Sequence, residues 1–438
     1  MERQIMKNLV NWKKSLRRKP LIIQGVRQCG KTYIIRQFGE QNYKKTIYLN
    51  FEEQPQLCSI FEKDLDTKRI IFELSAFQNT PVTPADTLVV FDEIQACAKA
   101  ITSLKYFCEN SNEYHVIAAG SLLGLQLAEP TSFPVGKVDL MQLHPMSFQE
   151  YLIAAGQSML LEYTLNMIIN DRIPKILTDK LAAHLIDYFI CGGMPEAVSD
   201  FIANRDTHAV DEILNNLLLI YERDFRKHAK LTDAPKIEMI WRSVPSQLAR
   251  VKNKFVYKEI TDGARARDYE NALNWLVNAG MIHRVTHISQ PDIPLSAYED
   301  TRHFKILAVD IGLLRRLAGL SATSIVTGDR HYAEFKGAMA ENFFAQEVKA
   351  YGIDHLHFWT SGNKAEIDFV ISNYDRLIPV EIKAADNVRA RSLNVYSEKY
   401  QPDIKVRVSM KGFAYDVENK LLCLPHYLLY RFSELTHR

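Results

Sequence analysis

The sequence of 438 residues lacks any long apolar run. A membrane-spanning helix needs about 18 or more consecutive apolar residues, so we expect no membrane span and no membrane partner. The opening segment, Met1 to Pro20, is basic and lacks the apolar core of a secretory signal. We therefore expect the protein to be cytoplasmic.

Cysteine is scarce, and charge of one sign is not in excess. The six cysteines include no C-x-x-C pair, so reduced thiols are expected. Lys and Arg number 54 against 52 Asp and Glu, a formal charge of +2, which gives no global electrostatic reason to bind nucleic acid. The sequence also lacks low-complexity tracts and a fixed-period repeat, which excludes a solenoid.

The composition is that of a folded globular protein, with 47% hydrophobic and 24% charged residues. The length exceeds what one hydrophobic core usually serves and suggests about three domains. A single-site description of the chain would therefore be incomplete.

A glycine-rich loop stands near the start of the chain. Residues 25–32 read G-V-R-Q-C-G-K-T and fit the phosphate-binding pattern G-x-x-x-x-G-K-[ST] at every fixed position. A short apolar strand precedes the loop, and helix-compatible spacing follows it. Lys31 would neutralise the β and γ phosphates of ATP, and the Thr32 hydroxyl would bind Mg²⁺. The predicted ATP-binding residues are Gly25, Val26, Arg27, Gln28, Cys29, Gly30, Lys31 and Thr32.

A second apolar run, Leu88 to Phe91, ends in two acids, which is the Walker B pattern. Asp92 is predicted to hold Mg²⁺, and Glu93 is predicted to orient and polarise the attacking water. A third apolar strand ends at Ser121, which is our candidate for a polar sensor of the γ-phosphate. By itself a Gly-Ser pair after a strand is more often a turn, so this assignment depends on the other two motifs.

Five further motifs lie along the chain: V-F-D-E-I-Q at 90–95, A-A-G-S at 118–121, H-P-M-S-F-Q-E-Y at 144–151, G-G-M-P-E-A at 192–197 and Y-E-R-D at 221–224. With these motifs the sequence resembles a family of prokaryotic AAA-type ATPases in which a restriction-nuclease-like domain follows the ATPase. The resemblance runs nearly from end to end, and it implies an α/β fold with a parallel P-loop NTPase sheet. Members usually carry a Gly-Arg pair where this chain has Gly136-Lys137, and a Lys cannot copy a bidentate Arg contact.

Helical periodicity dominates the middle of the chain. Residues 148–230 are predicted to form a helical lid, interrupted near Pro195. Residues 231–330 suggest a winged-helix-like module whose last helix, Asp268 to Ala279, carries one buried apolar stripe. The outward face of that helix has no Lys or Arg to meet phosphates, so we place a structural or protein-contacting role ahead of DNA reading.

Acidic residues and a lysine near the carboxyl end resemble the Asp, Glu-x-Lys core of restriction-type endonucleases. Strand alternation puts Glu381 and Lys383 on one face, and Asp368 can meet them from a neighbouring strand. We expect Glu341, Asp368 and Glu381 to hold Mg²⁺ and Lys383 to orient a water. The alternative is an inherited scaffold that holds no metal.

The predicted organisation is an ATPase domain at 1–147, a helical lid at 148–230, a winged-helix-like module at 231–330 and a restriction-endonuclease-like α/β domain at 331–438. The predicted function is an ATP-hydrolysing switch coupled to a nuclease-like domain acting on DNA. The alternative is an ATP-dependent binding or regulatory module without nuclease activity. The partner beyond ATP, DNA or protein, stays open, and so does the oligomeric state.

Overall fold

The structure, a computed structural model, describes residues 1–121, 133–249, 254–362, 365–373, 375–384 and 391–436. It divides into two compact units. The first unit comprises residues 2–144 together with 278–280, and the second comprises 145–277 and 281–438. In the described ranges, no helix combines the length and the apolar character needed to cross a bilayer.

The first unit is built on a five-stranded parallel sheet. Its strands are β1 (Leu21–Gly25), β2 (Lys45–Asn50), β3 (Thr87–Asp92), β4 (His115–Ser121) and β5 (Asp139–Gln142). Its described helices are α1 (Ile5–Lys14), α2 (Lys31–Asn42), α3 (Thr67–Phe77) and α4 (Ala98–Asn110). The strand order is β2-β3-β4-β1-β5, so β4 lies between the strand before the glycine-rich loop and the strand that ends in Asp92.

Strand β3 is buried along its whole length, as expected for a parallel strand covered on both faces. The ring of Phe91 makes edge-to-face contacts with Phe51, Phe61 and Phe107 at centroid distances of 5.8, 5.6 and 6.2 Å. Such aromatic pairs add to the energy of burial. This packing fixes the end of β3, and with it the position of Asp92.

The second unit begins with a run of helices, in the region where a helical lid is predicted. The helices there are α5 (Phe148–Ala154), α6 (Ser158–Asn166), α7 (Lys175–Cys191), α8 (Pro195–Asn204) and α9 (Thr207–His228). The interruption lies at Gly192 and Gly193, between α7 and α8. A Cβ on Gly193 would lie 2.2 Å from the carbonyl oxygen of Met146, which explains the absence of a side chain there.

The next segment contains α10 (Ala234–Leu248) and α11 (Ala266–Asn278). The predicted apolar stripe of α11 is buried at Tyr269, Ala272, Leu273 and Leu276. Its predicted outward face, with Asp268 and Glu270, is exposed. That face therefore presents acidic and amide side chains to solvent, as the sequence predicts.

The second unit also holds an eight-stranded mixed sheet in the order β12-β13-β11-β10-β9-β8-β6-β7. The strands are β6 (Ile282–Ile288), β7 (Glu299–Ala308), β8 (Leu356–Thr360), β9 (Glu366–Asn373), β10 (Arg376–Ile382), β11 (Lys405–Ser409), β12 (Ala414–Asp416) and β13 (Leu421–Pro425). Four described helices accompany them: α12 (Ile311–Leu317), α13 (Ala322–Thr327), α14 (Arg330–Ala350) and α15 (Arg391–Tyr400), with α16 (Phe432–Thr436) at the end.

The sheet runs across the boundary that the sequence places at residue 330. Strands β6 and β7, which lie within the range of the predicted winged-helix-like module, form one edge of this sheet, and β6 pairs in parallel with β8. The helix that carries Glu341 begins at Arg330, and the strand that carries Asp368 begins at Glu366.

Buried polar groups join the helical region to the layers around the sheet. Asp310 is fully buried, and its carboxylate accepts hydrogen bonds from the backbone N–H groups of Gly193 (2.6 Å) and Leu313 (3.0 Å). The side-chain amide of Gln346 donates to Asp310 and to the Tyr188 hydroxyl, at 3.2 and 2.8 Å. These hydrogen bonds offset the free-energy cost of removing the Asp310 carboxylate from water.

A second buried acid, Glu347, accepts a hydrogen bond from the backbone N–H of Phe148 at 2.8 Å. Phe148 is the first residue of α5, where Ser147 and Glu150 form a capping box. Burial raises the pKa of Glu347 to about 8. The helical region and α14 are therefore tied together at the start of α5, and neither can move alone without breaking buried hydrogen bonds.

Candidate nucleotide site and carboxyl-terminal acid cluster

The glycine-rich loop curls between the end of β1 and the start of α2. Gly30 has φ of 96° and Gln28 has φ of 62°, both in the left-handed region. A Cβ on Gly25 would lie 2.4 Å from the carbonyl oxygen of Leu143. Only glycine fits at position 25, and glycine adopts the geometry of position 30 without strain. Cys29 is buried under the loop and is not an accessible redox thiol.

Lys31 is the first residue of α2 and is 9% exposed. Its ammonium donates to the carbonyl oxygens of Gly25 and Val26 at 2.9 and 3.0 Å, so the positive charge lies inside the curl of the loop. The first backbone N–H groups of a helix have no partner within the helix and carry its positive dipole end. Charge and backbone donors therefore converge at the loop.

Asp92 and Thr32 meet although the sequence separates them widely. The Thr32 hydroxyl donates to the Asp92 carboxylate at 3.0 Å, and the Glu93 backbone N–H donates to its other oxygen at 2.9 Å. Carboxylate and hydroxyl oxygens are the ligand type that Mg²⁺ prefers. This pair stands directly beside the loop, at the carboxyl end of β3.

Tyr48 is a residue of this site that the sequence analysis missed. Its hydroxyl donates to the Asp92 oxygen that also accepts from Thr32, and the Arg36 guanidinium lies 4.5 Å from the centre of its ring. Burial, reinforced by the hydrogen bond to Asp92, raises the pKa of Tyr48. Tyr48 therefore stays a neutral donor that orients the carboxylate.

Glu93 follows Asp92 in a left-handed backbone conformation, with φ of 49°. This conformation is uncommon for a residue with a side chain, and such residues cluster at functional sites. The side-chain amide of Gln95 donates to the Glu93 carboxylate. Gln95 is the second residue that sequence reasoning missed, although the V-F-D-E-I-Q motif contains it.

The backbone register places Ser121 opposite Gly25 on neighbouring parallel strands, so the chain at Ser121 lies next to the loop. The side chain of Ser121 lies outside the described residues, and its sensor role stays a prediction. Lys137 pairs with Glu109 at 2.9 Å.

A cleft of about 770 Å³ opens on these groups. Its walls include Lys31, Thr32, Arg36 and Glu93. Clefts of this size are typical of small-molecule and cofactor sites. The residues present fit a magnesium nucleotide. The loop with its inward ammonium would face the phosphates, and a hydroxyl and a carboxylate at 3.0 Å could share a hard cation.

At the carboxyl-terminal site the structure places a lysine that the sequence analysis did not connect with the acids. Lys305 of β7 is fully buried, and its ammonium contacts Glu341 at 3.2 Å and Glu366 at 2.9 Å. Burial alone lowers the pKa of Lys305, but the carboxylates of Glu341, Glu366 and Asp368 outweigh it and raise that pKa. Lys305 therefore stays charged among the acids.

Asp368 is partly buried, and its carboxylate accepts a hydrogen bond from the backbone N–H of Ile382 at 2.7 Å. Burial, together with the nearby Glu341 carboxylate, raises the pKa of Asp368. A carboxyl group with a raised pKa is a poorer metal ligand at neutral pH, because the ligand form is the carboxylate.

Glu381 is 3% exposed and pairs with Lys383 at 2.7 Å. The second oxygen of Glu381 is buried without a hydrogen-bond partner. Among the residues that the structure describes, Glu341, Asp368 and Glu381 are not a group whose ligand atoms all lie within 4.8 Å of one another. The Lys305 ammonium contacts Glu341, and the metal-binding role of the three acids stays a prediction.

Family models match three parts of the chain. Residues 17–152 match a family described as "AAA domain". Residues 182–324 match "Domain of unknown function (DUF8612)", and residues 336–428 match "Domain of unknown function (DUF4143)". The AAA match covers the loop, Asp92 and Glu93.

Among whole proteins, the chain is similar to the uncharacterized protein MJ1544 of Methanocaldococcus jannaschii. The two are 21% identical over 408 residues, which is 91% of this chain and 82% of that protein. A similar solved structure is the Walker-type ATPase PABY2304 of Pyrococcus abyssi, at 13% identity and a TM-score of 0.45, covering 72% of this chain and 95% of that one. The ORC2 protein of Aeropyrum pernix, in a structure with ADPNP and ADP, is 14% identical with a TM-score of 0.34, covering 74% and 92%.

These TM-scores fall below 0.5, so the assignment of the first unit depends on the family match and on the geometry of the loop. The matched region contains a complete phosphate-binding pattern with a lysine inside the loop. It also contains Asp92 at the end of β3, which is separated from β1 by one strand, β4. Residues 17–152 of this chain are therefore an AAA-type, ATPase-like P-loop domain.

Proposed function

We propose that the chain is an ATP-binding and ATP-hydrolysing switch whose second unit binds a partner and does not cleave DNA. The observation that carries the ATPase half is the contact between Thr32 and Asp92 beside the inward ammonium of Lys31. Binding is favoured over cleavage because the Lys305 ammonium already pairs with Glu341 and Glu366 at the predicted nuclease site.

In this proposal the loop backbone from Gly25 to Thr32 holds the triphosphate. The Lys31 ammonium exchanges two neutral carbonyl acceptors for charged phosphate oxygens, which form stronger hydrogen bonds. Arg27 and Arg36 also line the cleft and add positive charge. The helix dipole of α2 favours the same anion.

Mg²⁺ would be held by Thr32 and Asp92, and when bound it would neutralise charge on the phosphate oxygens. Tyr48 and the Glu93 backbone N–H fix the orientation of Asp92. The chain thus supplies an oriented carboxylate before any ligand arrives, which lowers the cost of ordering it.

Glu93 would accept the proton of the attacking water. Its carboxylate lines the cleft, and the Gln95 amide holds it in place. General-base catalysis of this kind contributes about 10² to 10⁴ in rate. Ser121 remains the proposed sensor of the γ-phosphate.

The second unit would act as one body, because Asp310 and Glu347 bind the helical region to the sheet layer through buried hydrogen bonds. The exposed acidic face of α11 favours a protein partner over groove reading of DNA. The winged-helix-like and restriction-endonuclease-like assignments, like the cytoplasmic location, remain proposals. An ATP-controlled nuclease using Asp368, Glu381 and Lys383 is the competing proposal.

Cleavage assays separate the two proposals. Labelled single- and double-stranded DNA is incubated with the wild type and with Asp368→Ala, in Mg²⁺ or Mn²⁺, with and without ATP. We expect no cleavage above the level of the buffer, because Lys305 already neutralises part of the acid cluster. Cleavage by the wild type that Asp368→Ala abolishes would overturn the non-cleaving proposal and support the nuclease.

A further inference from the structure

An irregular pairing sits at the edge of the eight-stranded sheet, between β6 and β7. Thr286 pairs with Phe304, but the next residue, His287, pairs with Asp300, so residues 301–303 are extra on β7. Bulges at sheet edges re-aim side chains and are often found beside functional sites. Here the extra residues leave Asp300 paired with His287.

The bulge brings together two histidines and one carboxylate. His287, Asp300 and His303 each offer one ligand atom, and the three atoms lie within 4.8 Å of one another. The Nδ1 atom of His303 lies 2.7 Å from Asp300, and the rings of His287 and His303 have centroids 6.0 Å apart. Within the described part of the chain, no other trio of His, Cys, Asp or Glu meets that distance.

His287 carries the feature that an ordinary hydrogen-bonded pair does not explain. Its Nε2 lies 3.1 Å from the Thr360 hydroxyl, while its Nδ1 is buried without a hydrogen-bond partner. A buried polar atom without a partner costs stability, and a bound ion would remove that cost. The other side chains are accessible, with His303 46% and Asp300 24% exposed, so an ion can reach the site from solvent.

We propose that His287, Asp300 and His303 bind a divalent transition-metal ion of the zinc class. Imidazole nitrogens with one carboxylate suit Zn²⁺ and its neighbours, whereas Mg²⁺ and Ca²⁺ prefer oxygen ligands. Three protein ligands leave a position open to water or to a partner's side chain. The ion would join β6 to the edge strand β7 and pin the bulge.

Cobalt binding to the full-length, tag-free chain tests the site, with Co²⁺ alone as the probe and its visible absorption as the signal. We expect saturable binding of Co²⁺ that added Zn²⁺ displaces. His303→Ala and Asp300→Asn should each weaken it at least about tenfold, because even residues that only orient metal ligands change affinity by 10 to 100-fold. His355→Ala, at an exposed histidine of the same unit, should match the wild type.

Thermal unfolding gives a second measurement. Zn²⁺ should raise the unfolding temperature of the wild type and of His355→Ala by more than it raises that of His303→Ala, since an ion that binds only the folded state stabilises it. Ion binding at the nucleotide cleft would be common to all variants and cancels in the comparison. Equal Co²⁺ affinity in His303→Ala and the wild type, or no saturable binding, would overturn the proposal.

Discussion

Lys31→Ala is expected to lower the affinity for ATP on the order of a hundredfold. The ammonium lies inside the loop, where a triphosphate would replace its two carbonyl acceptors. A hydrogen bond to a charged group contributes about 1.5 to 3 kcal/mol, and each 1.4 kcal/mol is a factor of ten in affinity. Losing one such hydrogen bond at the upper value of about 3 kcal/mol corresponds to about a hundredfold loss of affinity. A fluorescent ATP analogue titrated into each protein measures it.

Lys44→Ala is the matched control. Lys44 belongs to the same unit and pairs with Asp86 on the surface, with its side chain 77% exposed. Surface pairs of this kind contribute little, so this variant should bind nucleotide as the wild type does. Circular dichroism on Lys31→Ala should show the wild-type fold. A folded Lys31→Ala with wild-type affinity would contradict the role given to the loop.

Lys305→Met is expected to lower the free energy of unfolding of the second unit by about 3 kcal/mol at pH 8. Removing one partner of a buried ion pair leaves uncompensated charge, which costs about 3 to 5 kcal/mol. The lower figure applies because Glu341 and Glu366 keep 18% and 28% of their side-chain exposure. Urea unfolding followed by tryptophan fluorescence reports on this unit, which contains Trp241, Trp275 and Trp359.

The loss of unfolding free energy in Lys305→Met should be larger at high pH than at low pH. The pKa of Asp368 is already raised by burial and by the Glu341 carboxylate, and loss of the Lys305 ammonium, which lowers that pKa, raises it further. A raised carboxyl pKa in the folded state means that stability is retained at low pH and lost as pH rises. The difference between Lys305→Met and the wild type should therefore shrink from pH 8 toward pH 5.

Lys180→Met, at an exposed lysine of α7 in the same unit, should unfold as the wild type does at every pH. A Lys305→Met protein that is as stable as the wild type at pH 8 would mean that the acids do not need the ammonium. Added Mg²⁺ that restores Lys305→Met would instead show that the acids can hold a metal ion.

Local pattern was enough to predict the glycine-rich loop and the strand that ends at Asp92. Gly25 to Thr32 and the run ending at Asp92 are short motifs whose spacing is set by backbone chemistry, and the structure brings Thr32 and Asp92 together. Tyr48 was missed because a tyrosine in a strand is ordinary. Only the pairing of β2 with β3 reveals that it reaches Asp92.

The carboxyl-terminal site shows where sequence reasoning stops. Glu381 and Lys383 are two residues apart, so their shared face follows from strand alternation. Lys305 comes to Glu341 and Glu366 only because β6 and β7 join the later strands in one sheet. That pairing joins segments far apart in the sequence, and no local sequence pattern in 282–308 predicts it.

The sequence pattern also did not predict that Asp310 and Glu347 are buried acids with backbone partners. Each lies far along the chain from its backbone partner, Gly193 in one case and Phe148 in the other. The G-G-M-P-E-A motif drew attention to Gly193 but did not show why a glycine is needed there. The structure supplies that reason in the close contact with the backbone of Met146.

The most direct test of the central claim is ATP hydrolysis by the wild type and Glu93→Gln in Mg²⁺, with ATP binding measured on the same samples. The wild type should bind and hydrolyse ATP. Glu93→Gln should bind with similar affinity and hydrolyse at least about a hundredfold more slowly, because the amide cannot accept the proton of the water. Wild-type turnover in Glu93→Gln would contradict the general-base role, and a wild type that binds no ATP would contradict the account as a whole.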